Sequence, residues 1–360
     1  MKIMNLVLST LLFSAVATAG TVEKQVIENV STNVILQTYA DLAARSAEML
    51  SAVKDLAADR TQANLVKAQN AWIAARTPWE SSESFLYGPV DSLGIDPMID
   101  TWPLSRIDLD SVLASGNTIN ADFVRNLGVN LQGFHTLEYL LFGDGLKTNT
   151  KDVASLTQGQ FDYLIATATL HAEYTHKLFY AWTTQADPDD ASLPGYIDVI
   201  SKPGFDNPIY SSEQAVLFEY VNGMLGILDE VANGKLSDPL GGDIDHANVE
   251  LVESPYSWNS LADFEHNIES VYSVYTGTYH THKGPGLKDV IAQTNPELAN
   301  RVEARIVQAM AKIKAIGGND NTPYNKAILN AQGRALTTEA INDLNDLRQL
   351  VENEVLPIFQ

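Results

Sequence analysis

Hydrophobic positions along this chain recur three and four residues apart, and alternation at every second residue is nearly absent. That period predicts helices. Val26, Val30, Val34, Ile35, Tyr39, Leu42, Ala43 and Met49 place one over about 21–56, and Leu65, Ala68, Trp72 and Ala75 a second over about 61–86, ended by Gly88-Pro89. Residues 90–120, with Pro97, Pro103 and Gly116, read as a loop-rich excursion. The spacing then predicts one unbroken helix over about 121–142, stopped by Gly143 and Gly145. A fourth follows over about 156–184, through Phe161, Leu164, Ala168, Leu170, Leu178 and Trp182. Further helices are indicated at about 211–234, 259–276, 296–316 and 335–354.

The class is therefore all-α, and long helices with short connections pack as bundles. Residues 187–209 carry Pro188, Pro194, Gly195, Pro203, Gly204 and Pro208 and form the best linker. They divide the chain into an N-terminal helical bundle, 20–186, and a C-terminal one, 210–360, each of four-helix type. The first nineteen residues stand apart: Lys2, an uncharged apolar run from Leu6 to Val16, and Ala17-Thr18-Ala19 before Gly20 read as a secretory signal peptide. No later run has the length and apolarity of a membrane span. The mature protein is expected to be periplasmic or otherwise exported, and soluble.

Charge sharpens this picture. There are 23 basic and 45 acidic residues, a net charge of −22. Such a field repels nucleic acid and anionic lipid and favours cations, although solubility alone accounts for much of it. The chain has no cysteine, so its core holds without disulfides, no lipobox anchor is present and no thiolate serves as ligand or nucleophile.

Candidate chemistry lies on two helices. His135 and Glu138 are three apart in Gly133-Phe134-His135-Thr136-Leu137-Glu138, so they share one face of an otherwise apolar helix. Taken alone, the pair reads first as a buried histidine bonded to its neighbouring acid, ahead of a functional site. Glu80 and Glu83 form a second such pair, and a continuous helix would bring Trp72, Arg76, Glu80 and Glu83 onto one face. The competing reading takes Thr77-Pro78-Trp79-Glu80 as a capping box in which Glu80 only caps. Bundles build metal sites from carboxylates on one helix and a Glu/His pair on another, and this donor set suits iron, manganese or zinc. Asp96 or Asp100 would add an oxygen, and Arg76 would offset surplus charge. The remaining histidines are weaker candidates: His171 and His176 point apart on a helix, His266 has no obvious second ligand, His246 lies in an acidic loop that could take calcium, and His280 with His282 could bind metal at the surface. There is no H-E-x-x-H, G-x-S-x-G, Walker loop or Rossmann glycine pattern.

At this point the motifs resemble those of the imelysin-like family of bacterial exported proteins. Gly133-Phe134-His135-Thr136-Leu137-Glu138 matches the family's G-x-H-x-x-E signature. Trp72, Arg76, Glu80, Glu83 and Phe85 resemble its first block, and Ile99-Asp100-Thr101-Trp102-Pro103 its I-D-x-W-P segment. Ser254 to Asn259, with Asp263, Asn267 and Val274 to Gly277, resemble its later block. The resemblance implies two helical bundles with the signature at their interface and a link to iron uptake. It also implies Glu80, Glu83, Asp100, His135 and Glu138 as metal positions, supported by Trp72, Arg76 and Gly133. Partners would then be a metal ion, iron foremost, and other iron-uptake components. The family has also been classed as peptidases, which keeps a metal-dependent peptidase as an alternative. A binding module for a peptide or siderophore-like ligand is another.

Overall fold

The computed structural model describes residues 21–360, so the expected signal peptide lies outside the described residues. The principal helices are α1 (Val22–Asn29), α2 (Leu36–Ala58), α3 (Gln62–Glu80), α4 (Ile95–Asp100), α5 (Gly133–Phe142), α6 (Gln158–Thr183), α7 (Tyr196–Ser201), α8 (Glu213–Asp229), α9 (Ser260–Thr276), α10 (Pro296–Ala315) and α11 (Ala331–Leu350). Among the described residues the strands are one two-residue pair, Thr278–Tyr279 with His282–Lys283. The fold is all-α, as the hydrophobic period predicts.

Helix starts follow local chemistry. Thr61 accepts from the Asn64 amide at the head of α3, and Thr157 forms a reciprocal capping box with Gln160 at the head of α6. In the first half, α2 lies along α3 and α6, and α5 fits against α3 and α6. The Trp72 ring meets Phe134 and Phe142 edge-on, with centroids at 6.1 and 5.6 Å. In the second half α10 packs on α9 and α11, while α8 packs on both α9 and α11. The halves share a core: α9 also packs on α3, and α1 on α8.

Three elements differ from expectation. The stretch 121–142 is not one helix. It is a short helix Ala121–Arg125, a turn Val129–Leu131 and then α5. The break is made by extended Gln132 and by Gly133 at φ +81°, where a Cβ would stand 2.4 Å from the Ile99 carbonyl oxygen. Second, α3 ends at Glu80, and Glu83 opens a separate turn, Glu83–Phe85. Third, the Pro- and Gly-rich stretch 187–209 contains α7, whose Tyr196, Val199 and Ile200 are buried.

Candidate metal centre

The site grows from Arg76. On α3 the helical repeat puts Trp72, Arg76 and Glu80 on one face. That face turns inward, and all three are fully buried. A buried guanidinium needs carboxylates, and this one has four. Glu80 approaches at 2.6 Å and Asp263 of α9 at 3.4 Å, and Asp100 and Glu253 pair with its two terminal nitrogens. Burial works against the charge of Arg76, but these carboxylates overcome it and hold its pKa well above the usual value. The ring of Phe134 lies under the guanidinium, 5.1 Å from its carbon.

The helix that carries Glu80 runs through Pro78, and Thr77 Oγ1 bonds back to the Ile73 carbonyl. The capping-box reading of Glu80 is thereby removed. Its carboxylate instead faces Arg76 and accepts from Asn267 Nδ2 at 2.6 Å. Asp100, the last residue of α4, also accepts from the Trp79 indole at 2.6 Å. Burial opposes ionisation of Asp100, yet Arg76 and then His135 hold its pKa well below the ordinary carboxylate range.

Gly133 starts α5 so that His135 falls in its first turn, against Asp100. His135 Nδ1 lies 3.1 Å from Glu138 Oε2. Its Nε2 stands 3.2 Å from Asp100 Oδ1, close enough for charge attraction but outside hydrogen-bond alignment. Nε2 is a buried nitrogen without a hydrogen-bond partner, and it presents a lone pair only when the ring keeps a single proton, on Nδ1. The pKa of His135 is pushed up to about 9, because Asp100 and Glu138 beside its two nitrogens outweigh the opposing effect of burial. Trp102 packs on the ring at 4.7 Å. Glu138 sits outside the convergence rather than in it. Its Oε1 accepts from the Tyr256 and Ser257 amides and from Ser257 Oγ, at 2.9, 2.8 and 2.7 Å. Glu138 therefore orients His135, as carboxylates behind metal-ligating histidines do.

The other carboxylates open on a cavity of about 400 Å³, lined by Glu83, Asp96, Asp100, Glu230, Lys235 and Glu253 among others. Two sets of ligand atoms converge, with each set lying within 4.8 Å: Glu80, Glu83 and Asp100, and Asp100, His135 and Glu253. Burial first, with neighbouring carboxylates, pushes the pKa values of Glu80 and Glu83 well up, and raises that of Asp96 to about 6. Glu253 goes the other way, since Lys235 and Arg76 outweigh its burial. The cluster thus carries more carboxylate than Arg76 and Lys235 balance.

Of the residues expected from sequence, Glu80, Glu83 and Asp100 converge in one set, His135 meets Asp100 in the other, Glu138 backs His135, and Arg76 pairs with Glu80 and Asp100. Trp72 supports the site by donating its indole N–H to the Phe134 carbonyl at 2.9 Å. Two central groups, Glu253 and Lys235, were not anticipated. Glu253 directly precedes the Ser254–Asn259 block, which was its one available signal; Lys235 has none.

The profile of peptidase family M75, imelysin, matches residues 35–351, and the chain belongs to this family. It is 27% identical over 351 residues to the iron-regulated protein A of Synechococcus elongatus, a match spanning 97% of this chain and 90% of that one. The crystal structure of an iron-regulated protein A precursor from Parabacteroides distasonis superposes with a TM-score of 0.80 at 26% identity, covering 94% of this chain and 95% of that one. An imelysin-like protein from Psychrobacter arcticum shares the fold, with a TM-score of 0.70 at 16% identity over 94% and 95% of the two chains.

Proposed function

We propose that this imelysin-family protein is an exported metal-binding protein serving iron acquisition, with its cation held beside the cavity by Asp100, His135 and Glu253, and Glu80 and Glu83 grouped on the other side of Asp100. One observation carries the reading. His135 Nε2 is a fully buried nitrogen without a hydrogen-bond partner, within 4.8 Å of ligand oxygens from Asp100 and Glu253. A cation there would displace the Nε2 proton that the raised pKa retains at neutral pH, take the lone pair so freed and relieve the surplus of desolvated carboxylate. Oxygen donors with one imidazole suit iron, manganese or zinc. The iron-regulated naming of the relatives in Synechococcus elongatus and Parabacteroides distasonis favours iron. The precursor status of the latter and the signal-like pattern of residues 1–19 support export. No helix among the described residues is long and apolar enough to cross a membrane. Its partners would be the metal and other iron-uptake components, not nucleic acid.

A metal-dependent peptidase would need Glu138 or Glu83 as general base; Glu138 has both oxygens engaged, which leaves Glu83 on the cavity wall as that reading's candidate. The test of the metal reading is metal analysis and titration calorimetry of the mature chain with Fe(II), Mn(II) and Zn(II). The wild type should take up one ion per chain, and His135→Ala should take up none. Equal and negligible uptake by both removes the proposal.

A further inference from the structure

Two cations sit among the carboxylates, and they are built differently. Arg76 is locked: it is fully buried, has ion pairs to four acids and lies over Phe134. Lys235 is a flexible stem that ends at the cavity. Its ammonium lies 3.0 Å from Glu253 Oε2, 3.7 Å from Glu80 Oε2 and 3.9 Å from Glu230 Oε1. It is 10% exposed, and it lines the cavity together with Glu83 and Asp100.

The backbone explains how a lysine comes to this position. Glu230 and Lys235 are five apart, which on an α-helix would separate them by about 140°. Residues Glu230–Leu236 instead form a π-helical turn, whose i→i+5 repeat stacks the two side chains at the cavity wall. Glu230 is 56% exposed, so it stands at the outer end of the path from Glu253 to solvent. The lysine therefore pairs most closely with an inner anionic group, Glu253, and reaches the outer Glu230 only at the limit of an ion pair, with the cavity beside it.

We propose that Lys235 is a tethered counter-cation that occupies the metal's electrostatic place at Glu253 and withdraws from it onto Glu230, which it already approaches at 3.9 Å, when a divalent cation enters. This rests on the metal reading above. An ammonium on a four-carbon stem is a compact point charge that can move in this way; a guanidinium held in four pairs cannot. The consequence is that metal affinity is set by competition with a residue of the chain itself. The site keeps its carboxylates paired without metal and releases an ion more readily than its donor set alone would.

Two measurements test this, with Mn(II) and Fe(II) as probes. In titration calorimetry Lys235→Gln and Lys235→Met should bind at least about tenfold more tightly than the wild type, since a like charge within about 4 Å of the ion is gone. Amine labelling of the wild type, read by mass spectrometry, should find Lys235 protected without metal and reactive when metal is bound. This second readout needs no variant and separates displacement from mere charge removal. Metal binding by the wild type with unchanged affinity in both variants, or labelling of Lys235 unaffected by metal, overturns the displacement and leaves the metal site standing. Absence of binding in wild type and variants overturns both.

Discussion

Helix α3 has a cavity on each side, and the larger one is not the better site. Its inner face looks through Arg76 and Glu80 toward the cavity of about 400 Å³. Its outer face, with Ala74, Thr77, Pro78 and Ser81, lines one of about 530 Å³. Histidine–carboxylate pairs occur on both sides of the helix: His135 with Glu138 lies behind the inner cavity. On the outer side His266 Nδ1 meets Glu269 at 2.7 Å and His280 Nε2 meets Asp41 at 2.8 Å. The difference is convergence and burial. Inside, three ligand groups come within 4.8 Å of one another twice over, whereas among the described residues no such set occurs on the outer side. His280 and Asp41 are 66% and 43% exposed, so water screens their pairing, while His135 and Asp100 are 1% and 5% exposed. Volume shows where a molecule fits. Enforced proximity of desolvated charges shows where a cation would be held.

The sharpest way to break this comparison is to remove a cation on each side of α3: Arg76 within it, and Arg45 of α2, which lines the outer cavity. Arg76→Met leaves Glu80, Asp100, Glu253 and Asp263 buried without their main partner, and breaking such a network costs about 3–5 kcal/mol. Arg45, whose ion pair to Glu48 is half-exposed, should lose no more than about 0.5 kcal/mol as Arg45→Met. Urea denaturation of both variants checks this. Similar losses would mean that the inner network is as water-screened as the outer pair.

What was legible in the sequence followed the same division. Pairs three and four apart, such as His135 with Glu138 and Arg76 with Glu80, could be read because helix geometry carries them, and Asp100 came with its motif. The break ahead of Gly133 could not be read, because Val124, Leu127, Leu131 and Phe134 continue the apolar three-and-four spacing across it. What decides the break is the close approach of the Ile99 carbonyl, which is a tertiary contact. The continuity of α3 past Glu80 was likewise over-read: the Ser81-Ser82 turn moves Glu83 off the helix face and onto the cavity wall. Lys235 was illegible because its position depends on a π-turn and on partners far away in the chain, and neither leaves a local period.

A second test uses His171 of α6, the other buried histidine near the centre. It packs on the Phe134 ring at 4.2 Å, and neither ring nitrogen has a hydrogen-bond partner. Burial lowers its pKa to about 3; Asp100 opposes this weakly and Arg76 adds to it. The folded state therefore keeps it neutral while the unfolded chain, near pKa 6.5, takes up a proton. Its stabilising share is full above pH 6.5 and is lost as pH falls toward 3, at up to about 1.4 kcal/mol per pH unit. Stability of His171→Leu, measured by urea between pH 6.5 and 4, should fall less steeply than the wild type by that amount. Parallel slopes would mean that His171 is hydrated in the folded protein.

The smallest effect belongs to the outer cavity and has the opposite sign. Burial disfavours the charged form of His266, but Glu269 outweighs it and raises the pKa. The pair then stabilises the fold below the unfolded pKa near 6.5 and ceases to do so as pH rises through the folded value. Glu269 is half-exposed, so the share is no more than about 1 kcal/mol. His266→Ala should thus be less stable than the wild type at pH 6, with the gap closing by pH 9, in thermal unfolding at both values. Its uptake of Fe(II) and Mn(II) should equal that of the wild type. A loss of metal in His266→Ala would show that a half-exposed histidine–carboxylate pair suffices for binding, and burial would no longer separate the two faces of α3.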